Sequence, residues 1–238
     1  MLVSTPEVYQ ANIHHAVSIG NVLLTELLIA KAGGEGNTRY EDGVTLLHVA
    51  TAHGHVEVVN ILIQAGGEVN SQTQKRVSLS GRYLDSGYTS LHVASKSGHV
   101  EMVNMLIQAG GDVNKTDKFD STPLHLASEK GHVEVVNILI QAGVEVNKQE
   151  LCGNTALIWS SIKGHVEVVD ILIQAGSDVN ILNERGLTTL HYASNQGHVK
   201  VIAALLAAGA DKTIKTMWLI GRTPHDVAKN QATRNALE

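Results

Sequence analysis

Residues 131–143 read Gly-His-Val-Glu-Val-Val-Asn-Ile-Leu-Ile-Gln-Ala-Gly, and this segment recurs along the chain with small changes. Its opening Gly-His-Val-Glu also begins at Gly54, Gly98 and Gly164, and Gly197 begins the related Gly-His-Val-Lys. Neighbouring copies are 33 residues apart, but the step from Gly54 to Gly98 is 44 residues. Self-similarity at a fixed period of this length is the signature of a repeat array. The chain is therefore predicted to consist of 33-residue repeats, one of which carries an insertion of 11 residues.

Each period is predicted to contain two helices separated by a glycine. In the unit around Gly131, Ser121 or Thr122 can cap the first helix, and Pro123 suits its first turn. Gly131 then supplies the positive φ that ends this helix. A unit that is apolar on two sides needs a neighbour on each side, which is the logic of a solenoid. The two apolar stripes of the second helix are formed by Val133, Val136, Leu139 and Ile140 and by Val135 and Ile138.

Three motifs accompany this period: Thr-Pro-Leu-His-x-Ala, as at 122–127, Gly-His-x-Glu, and Ala-Gly-x-x-Val-Asn. Together with the 33-residue spacing they resemble the ankyrin-repeat family, and the resemblance covers nearly the whole chain. It implies an all-α ankyrin-repeat solenoid of helix-turn-helix units joined by β-hairpin-like fingers.

The resemblance treats 1–238 as a single ankyrin-repeat domain with seven repeats and an insertion within 71–86. The first and last repeats keep only parts of the pattern, as expected of terminal caps, which need one polar outer face. The predicted repeats span 6–38, 39–71, 83–115, 116–148, 149–181, 182–214 and 217–238.

The composition favours a folded chain and argues against several classes of partner. Hydrophobic residues make up 43% and charged residues 17% of the chain, which is enough apolar material for a packed core. The net charge of -5, without any run of Lys and Arg, argues against a nucleic-acid partner. The single Cys152 excludes an internal disulfide, no signal-like start precedes the repeats, and no apolar stretch approaches roughly 18 residues. We therefore expect a cytoplasmic or nuclear protein without membrane insertion.

The thirteen histidines invite a metal hypothesis, but their spacing argues against it. Eleven occupy two repeat positions, where ring nitrogens can satisfy backbone groups of adjacent turns. Zinc needs about four ligands at one point, whereas residues one period apart lie in different layers. We predict structural histidines, no metal and no cofactor. The eleven are His14, His48, His92, His125, His191 and His225 in the first helices, and His55, His99, His132, His165 and His198 after the glycines.

No catalytic constellation is recognisable in the sequence. Cys152 has no neighbouring histidine that could activate it as a nucleophile. The segment 33–36, Gly-Gly-Glu-Gly, lacks the Lys and Ser or Thr of a phosphate loop and is predicted to be a helix stop and turn. Glutamates in the first turn of the second helices, such as Glu134, offset the helix dipole. The sequence therefore predicts that this module is not an enzyme.

Four asparagines recur at the start of the fingers, namely Asn70, Asn114, Asn147 and Asn180. Their side chains can bond the turn backbone, and this structural reading is sufficient by itself. The ankyrin resemblance implies a second reading, because such asparagines, with a leucine eight residues earlier, are targets of an asparaginyl hydroxylase in that family. The leucines that fit this spacing are Leu62, Leu106, Leu139 and Leu172.

Positions that differ between repeats are the candidates for partner recognition. Variation concentrates at the finger tips and the ends of the first helices, which line the concave side in proteins that this chain resembles. Phe119 is the only phenylalanine, and an exposed aromatic side chain is a good anchor. Trp159 and Ile158 replace the residues of other repeats, and they either repack one layer or contact a partner. The predicted contact residues are Lys96, Lys118, Phe119, Asp120, Ser121, Glu129, Lys130, Leu151, Cys152, Asn154, Trp159, Ile162, Lys163, Arg185, Leu187, Asn195 and Gln196.

The insertion is a second candidate surface, because its Lys75, Arg76, Arg82 and Tyr83 differ in character from the acidic chain. Lengthening a loop from roughly 6 to roughly 17 residues costs only about 0.9 kcal/mol of closure entropy, so tolerance alone is a sufficient explanation. Residues 75–78, Lys-Arg-Val-Ser, also resemble a site for a basophilic kinase, which makes Ser78 a candidate for phosphorylation.

The sequence thus predicts a non-catalytic scaffold that binds another protein or an extended peptide through its finger tips and concave face. Stacked repeats hold the fingers rigidly, so that little entropy is lost on binding. The alternative is a regulatory or targeting module of a larger enzyme or channel, of which this chain is a fragment.

Overall fold

The computed structural model describes residues 6–31, 36–79, 82–217 and 221–238, with only the backbone of Pro6, Glu7, Glu41 and Arg82. Two compact units divide the chain, Met1–Lys118 and Phe119–Glu238. The assignment of 1–238 to a single domain stays a prediction. Of the helix stop predicted at 33–36, all but the last residue lies outside the described part of the chain.

Unit 1 contains three pairs of helices in its described part. These are α1 (Pro6–Ser18) and α2 (Val22–Lys31), α3 (Leu46–His53) and α4 (Val56–Gln64), and α5 (Ser90–Ser97) and α6 (Val100–Gln108). A 3-10 turn at Glu41–Gly43 precedes α3. Between α4 and α5, strands β1 (Val77–Leu79) and β2 (Arg82–Leu84) pair in antiparallel fashion. The segment predicted to be an insertion therefore contains a β-hairpin within an otherwise helical unit.

Unit 2 contains the pairs α7 (Pro123–Lys130) and α8 (Val133–Gln141), α9 (Ala156–Lys163) and α10 (Val166–Gln174), and α11 (Thr189–Gln196) and α12 (Val199–Ala207). A short helix, α13 (Gln231–Asn235), follows them. The first helices α7, α9 and α11 pack on one another in sequence, as do the second helices α8, α10 and α12. This layered packing is that of an all-α solenoid.

The last repeat departs from the prediction, because its first helix is reduced to a turn at 224–227. Asn230 already caps the following helix α13, with its side chain accepting the N–H of Thr233 at 2.9 Å. The cap at Asn230 comes seven residues after Thr223. In the repeat of α7 and α8 the equivalent interval, from the capping Thr122 to His132 just before α8, is ten residues. Too few residues remain for a full helix.

A threonine and a histidine fix the start of most first helices. In α3 the backbone N–H of Thr45 donates to Nδ1 of His48 at 3.2 Å, and Nε2 of the same ring lies 2.9 Å from the carbonyl oxygen of Tyr88. Because Nδ1 accepts, Nε2 must carry the proton and donate. The imidazole is therefore neutral, and burial lowers the pKa of His48 to about 4.

The same threonine and histidine pair recurs in α7 and α11. Burial lowers the pKa of His125 to about 4 and also lowers the pKa of His191. These histidines confirm the structural role that the sequence predicts for the first-helix position. Two members of the set differ. His14 stacks on the ring of Tyr40 with centroids 3.3 Å apart, and the exposed His225 ring makes no hydrogen bond to a described residue.

At two successive junctions of unit 2, a glycine of one repeat packs against a histidine of the next repeat. Gly131 has a φ of 76°, and a Cβ at this position would lie 2.7 Å from Nδ1 of His165. Nε2 of His165 in turn lies 3.0 Å from the carbonyl oxygen of Glu129, near the end of α7, the helix that Gly131 terminates. Glycine is thus required twice, by the left-handed backbone and by the ring that packs over it. His198 makes the corresponding bond to Ile162 at 3.1 Å.

Candidate protein-binding surface

In unit 1 the insertion emerges from a complete finger. The N–H of Thr73 donates to the carbonyl oxygen of Tyr88 at 3.0 Å, and the N–H of Gly87 donates to that of Thr73 at 2.7 Å. An uninterrupted finger of unit 2 has the same two bonds, between Glu150 and Asn154 at 3.0 Å and between Gly153 and Glu150 at 2.7 Å. The residues between Thr73 and Asp85 are therefore added without disturbing the turn that carries them.

The hairpin has one apolar face and one polar face. Its register pairs Val77 with Leu84 and Ser78 with Tyr83. Val77 and Leu79 line a pocket of about 310 Å³ together with Tyr40 and Val44. Ser78 and Tyr83 lie on the opposite face and are exposed, because successive side chains of a strand alternate. The kinase candidate Ser78 is therefore on the outer face.

The predicted cations of unit 1 are held by ion pairs within that unit. Lys75 lies 2.8 Å from Asp42, and Arg76 lies 3.3 Å from Asp85 and stacks over the Tyr83 ring at 4.7 Å. Lys96 also reaches Asp85, at 3.4 Å. Exposed pairs of this kind contribute only about 0–1 kcal/mol each. They nevertheless compensate the positive charge that the sequence suggests for this surface. The Arg82 side chain lies outside the described residues, and Lys118 is exposed.

In unit 2 two neighbouring finger tips each expose a large apolar side chain. Phe119 is 44% and Leu151 is 55% exposed, and the N–H of Leu151 donates to the carbonyl oxygen of Phe119 at 2.8 Å. Asp120 has a φ of 60°, at the position that glycine fills in the next fingers. The thiol of Cys152 is exposed beside Leu151. The tips therefore present adjacent apolar groups to the surrounding solvent.

Asn154 requires a correction, because it is only 7% exposed and does not face outward. Its backbone N–H and its amide nitrogen both donate to Oε1 of Glu150, at 3.1 and 2.7 Å. Its Oδ1 accepts from Nδ2 of Asn183 at 2.9 Å. Asn154 therefore supports the fingers from inside.

A buried polar residue recurs at one position of the five fingers that follow the first, and it was not recognised from the sequence. The position repeats every 33 residues in unit 2, but the residue type changes from repeat to repeat, so it resembles a variable contact position. Its regular polarity was the signal that could have identified it. The residues are Thr73, Asp117, Glu150, Asn183 and Thr216, all of which are buried.

The ends of the first helices in unit 2 carry a small charge cluster. Glu129 lies 3.3 Å from Lys130 and 3.5 Å from Lys163. In the next layer Ile158 is fully buried and repacks the core, while Trp159 is half-buried. Of the other predicted residues of unit 2, Asp120, Arg185, Asn195 and Gln196 are exposed, and Ser121, Ile162 and Leu187 are half-buried.

The side chains of Asn70, Asn147 and Asn180 bond the next repeat, not the turn of their own finger. Nδ2 of Asn147 donates to the carbonyl oxygen of Gly176 at 3.2 Å, and its Oδ1 accepts the N–H of Asp178 at 2.9 Å. Asn70 and Asn180 make the equivalent pairs of bonds with the following repeat. Asn114 is half-buried, with its N–H donating to Asp112 at 2.9 Å. These side chains satisfy the end of the second helix one repeat further on.

Within the described ranges, no group of three or more His, Cys, Asp or Glu side chains could hold a metal ion. In the same part of the chain, no helix is long and apolar enough to cross a membrane.

Comparison with known proteins agrees with this architecture. The family profile described as "Ankyrin repeats (3 copies)" matches residues 8–73, 73–150 and 124–216. The crystal structure of the human ASB11 ankyrin repeat domain is similar, with a TM-score of 0.79 and 28% sequence identity over 94% of this chain and 95% of that one. No curated protein matches the chain in sequence. With a family profile covering most of its length, the chain belongs to the ankyrin-repeat family.

Proposed function

We propose that this chain is a non-catalytic binding module whose contact surface in unit 2 is the row of finger tips carrying Phe119, Leu151 and Cys152. Ankyrin repeats are in general protein-interaction modules, and their fold is generally non-catalytic. The observation that carries the proposal is the backbone hydrogen bond that holds two exposed apolar residues, Phe119 and Leu151, on neighbouring finger tips. Adjacent exposed apolar groups are typical of interaction sites, and aromatic anchors dominate binding energies.

The charges on the neighbouring first helices support a protein or extended peptide as the partner. Glu129 is shared between Lys130 and Lys163, so that one cation more than anion lies at this edge. Such mixed charges orient a partner and increase its rate of association more than they add affinity. The apolar tips would supply the affinity, and the helix ends would select the orientation.

Affinity capture with matched variants tests the proposal. A Phe119→Ala, Leu151→Ala double variant is expected to recover the partners of the wild type at least about tenfold less efficiently, because anchor side chains carry most of the binding energy. Val199→Ala is the control, since it shortens an exposed apolar side chain on the second helix α12. Equal recovery by the double variant, or equal loss in the control, would contradict the proposal.

Two modifications are proposed for the same module. The finger asparagines Asn70, Asn114, Asn147 and Asn180 are proposed as hydroxylation targets, and co-expression with an asparaginyl hydroxylase should add the mass of one oxygen atom to them. Ser78 is proposed as a phosphorylation site, on the basis of its exposed position on the outer face of the hairpin. Incubation with a basophilic kinase and ATP should add one phosphoryl group to wild type and none to Ser78→Ala.

The proposed location is cytoplasmic or nuclear, on the basis of the single cysteine. Fluorescence microscopy of the tagged chain tests this, and accumulation in the secretory pathway would contradict it.

A further inference from the structure

A second candidate site lies in unit 2, at the finger that carries Arg185. It is a pocket of about 320 Å³ between α11 and residues 222–227. Arg185 and Arg222 line it, and both side chains are exposed. Neither guanidinium forms an ion pair or a hydrogen bond with any residue that the structure describes. Two arginines that form no ion pair with a described residue therefore share one pocket.

A hydroxyl donor in the same pocket is oriented by the finger network. Oδ1 of Asn183 accepts the N–H groups of Arg185 and Leu187, both at 3.0 Å. The amide is thereby fixed so that Nδ2 donates to the hydroxyl oxygen of Tyr192 at 2.8 Å. Because that oxygen already accepts a hydrogen bond, the hydroxyl proton of Tyr192 is available to a ligand. Tyr192 also lines the pocket.

The remaining groups leave this pocket positive. Asp226 is the one carboxylate of its lining, and Oδ2 of that residue already accepts the N–H and the hydroxyl of Thr223, both at 2.8 Å. His191 adds no charge, since burial lowers its pKa and Nε2 donates to the carbonyl oxygen of Arg222 at 3.1 Å. Two arginines against one aspartate give a net charge of about +1, in a chain whose net charge is -5.

We propose that this pocket binds the carboxylate of a glutamate side chain in an acidic segment of the partner protein. Arg185, Arg222 and the hydroxyl of Tyr192 would donate to the carboxylate, a charge-assisted arrangement that guanidinium groups favour. Leu187 and Val227, which also line the pocket, would contact the methylene groups. A single negative charge matches the pocket better than a phosphate dianion, which would lie near Asp226. The proposal rests on the proposed protein-binding function.

The test uses a synthetic probe in place of the partner, so that its outcome is separable from that of the capture experiment. The probe is the acetylated and amidated peptide Gly-Ser-Glu-Leu-Gly, titrated to millimolar concentration into the full chain labelled with ¹⁵N. The Nε–H resonances of Arg185 and Arg222 are expected to shift with the glutamate peptide. The analogue with Gln in place of Glu should leave them in place.

Three variants complete the test. Arg185→Gln and Arg222→Gln are each expected to weaken binding of the glutamate peptide about fivefold, whereas Lys200→Gln, which removes an exposed cation from α12, should preserve it. Unchanged thermal midpoints would establish that each variant is folded, as expected for exposed side chains. Equal shifts with the glutamine analogue, equal loss in Lys200→Gln, or tighter binding of a phosphoserine analogue would each overturn the proposal.

Discussion

The second helices and the finger tips of unit 2 differ in both sequence and exposure. Helices α8 and α10 differ at one of their nine positions, Asn137 against Asp170, and bury the same three apolar residues in each copy. The tips share no such identity, and Phe119, Leu151 and Arg185 are exposed. Identity between repeats at a buried position therefore marks a side chain that packs against neighbouring layers. Difference at an exposed position marks a side chain that the fold leaves free for recognition.

Acid is expected to cause the largest loss of stability, through histidines at a repeated position. Burial lowers the pKa of His48 and of His125 to about 4 from 6.5. Since the folded pKa lies below the unfolded one, this stability is complete above about pH 6.5 and is lost as the pH falls towards 4. Each shift in pKa corresponds to about 3 kcal/mol. Once the pH has fallen below about 4, protonation of both histidines is expected to have lowered the free energy of unfolding by about 6 kcal/mol.

Urea denaturation at pH 7 and pH 5 measures this effect. His125→Asn cannot gain the proton, so its free energy of unfolding should fall by about 2 kcal/mol less than that of wild type between these two pH values. The buried Ile158 is the natural counterpart, since it occupies the same position of α9 without a titrating group. A pH dependence in His125→Asn as steep as in wild type would show that another group carries the effect.

One pair of leucine variants compares the two regions with the same chemistry. Leu139→Ala, in the core of α8, is expected to lower the free energy of unfolding by about 3 kcal/mol, because the lost methyl groups leave a cavity. Leu151→Ala, at a finger tip, should change it by less than about 0.5 kcal/mol. Chemical denaturation of both variants measures the difference. Similar losses in both would break the distinction between the two regions.

A pair of asparagine variants tests the buried polar residue of the fingers. Asn183→Ala removes the acceptor for the N–H groups of Arg185 and Leu187 and should destabilise the chain by about 2 kcal/mol. Asn195→Ala is the control, because this exposed side chain makes no hydrogen bond to a described residue. Its effect should stay below about 0.5 kcal/mol by thermal denaturation. A neutral Asn183→Ala would mean that the fingers are held by their backbone alone.

Much of the fold could be predicted because the repeats of this one chain can be compared with one another. The helix pairs, the glycine stops and the structural role of His48 and His125 all follow from residues that recur at one spacing. The reduction of the first helix in the last repeat to a turn was missed because its cue is a distance, the early cap at Asn230, and not a residue type.

The candidate site was harder to predict, since variation has two causes in this chain. Arg185 and Leu151 stand at positions that differ between repeats, and both side chains are exposed, as expected. Glu150 and Asn183 vary as well, but each is buried and satisfies its own finger with a different polar group. Arg222 and Asp226 were missed because their pocket depends on the turn that takes the place of the first helix in the last repeat.

Photo-crosslinking tests most directly whether a partner binds at the finger tips, because it reports which surface touches that partner. A benzoylphenylalanine residue is placed either at the finger tip, replacing Phe119, or at the exposed end of a second helix, replacing Gln141. Partner adducts are expected on irradiation of the first protein and none with the second. Adducts through position 141 with none through position 119 would contradict binding at the finger tips.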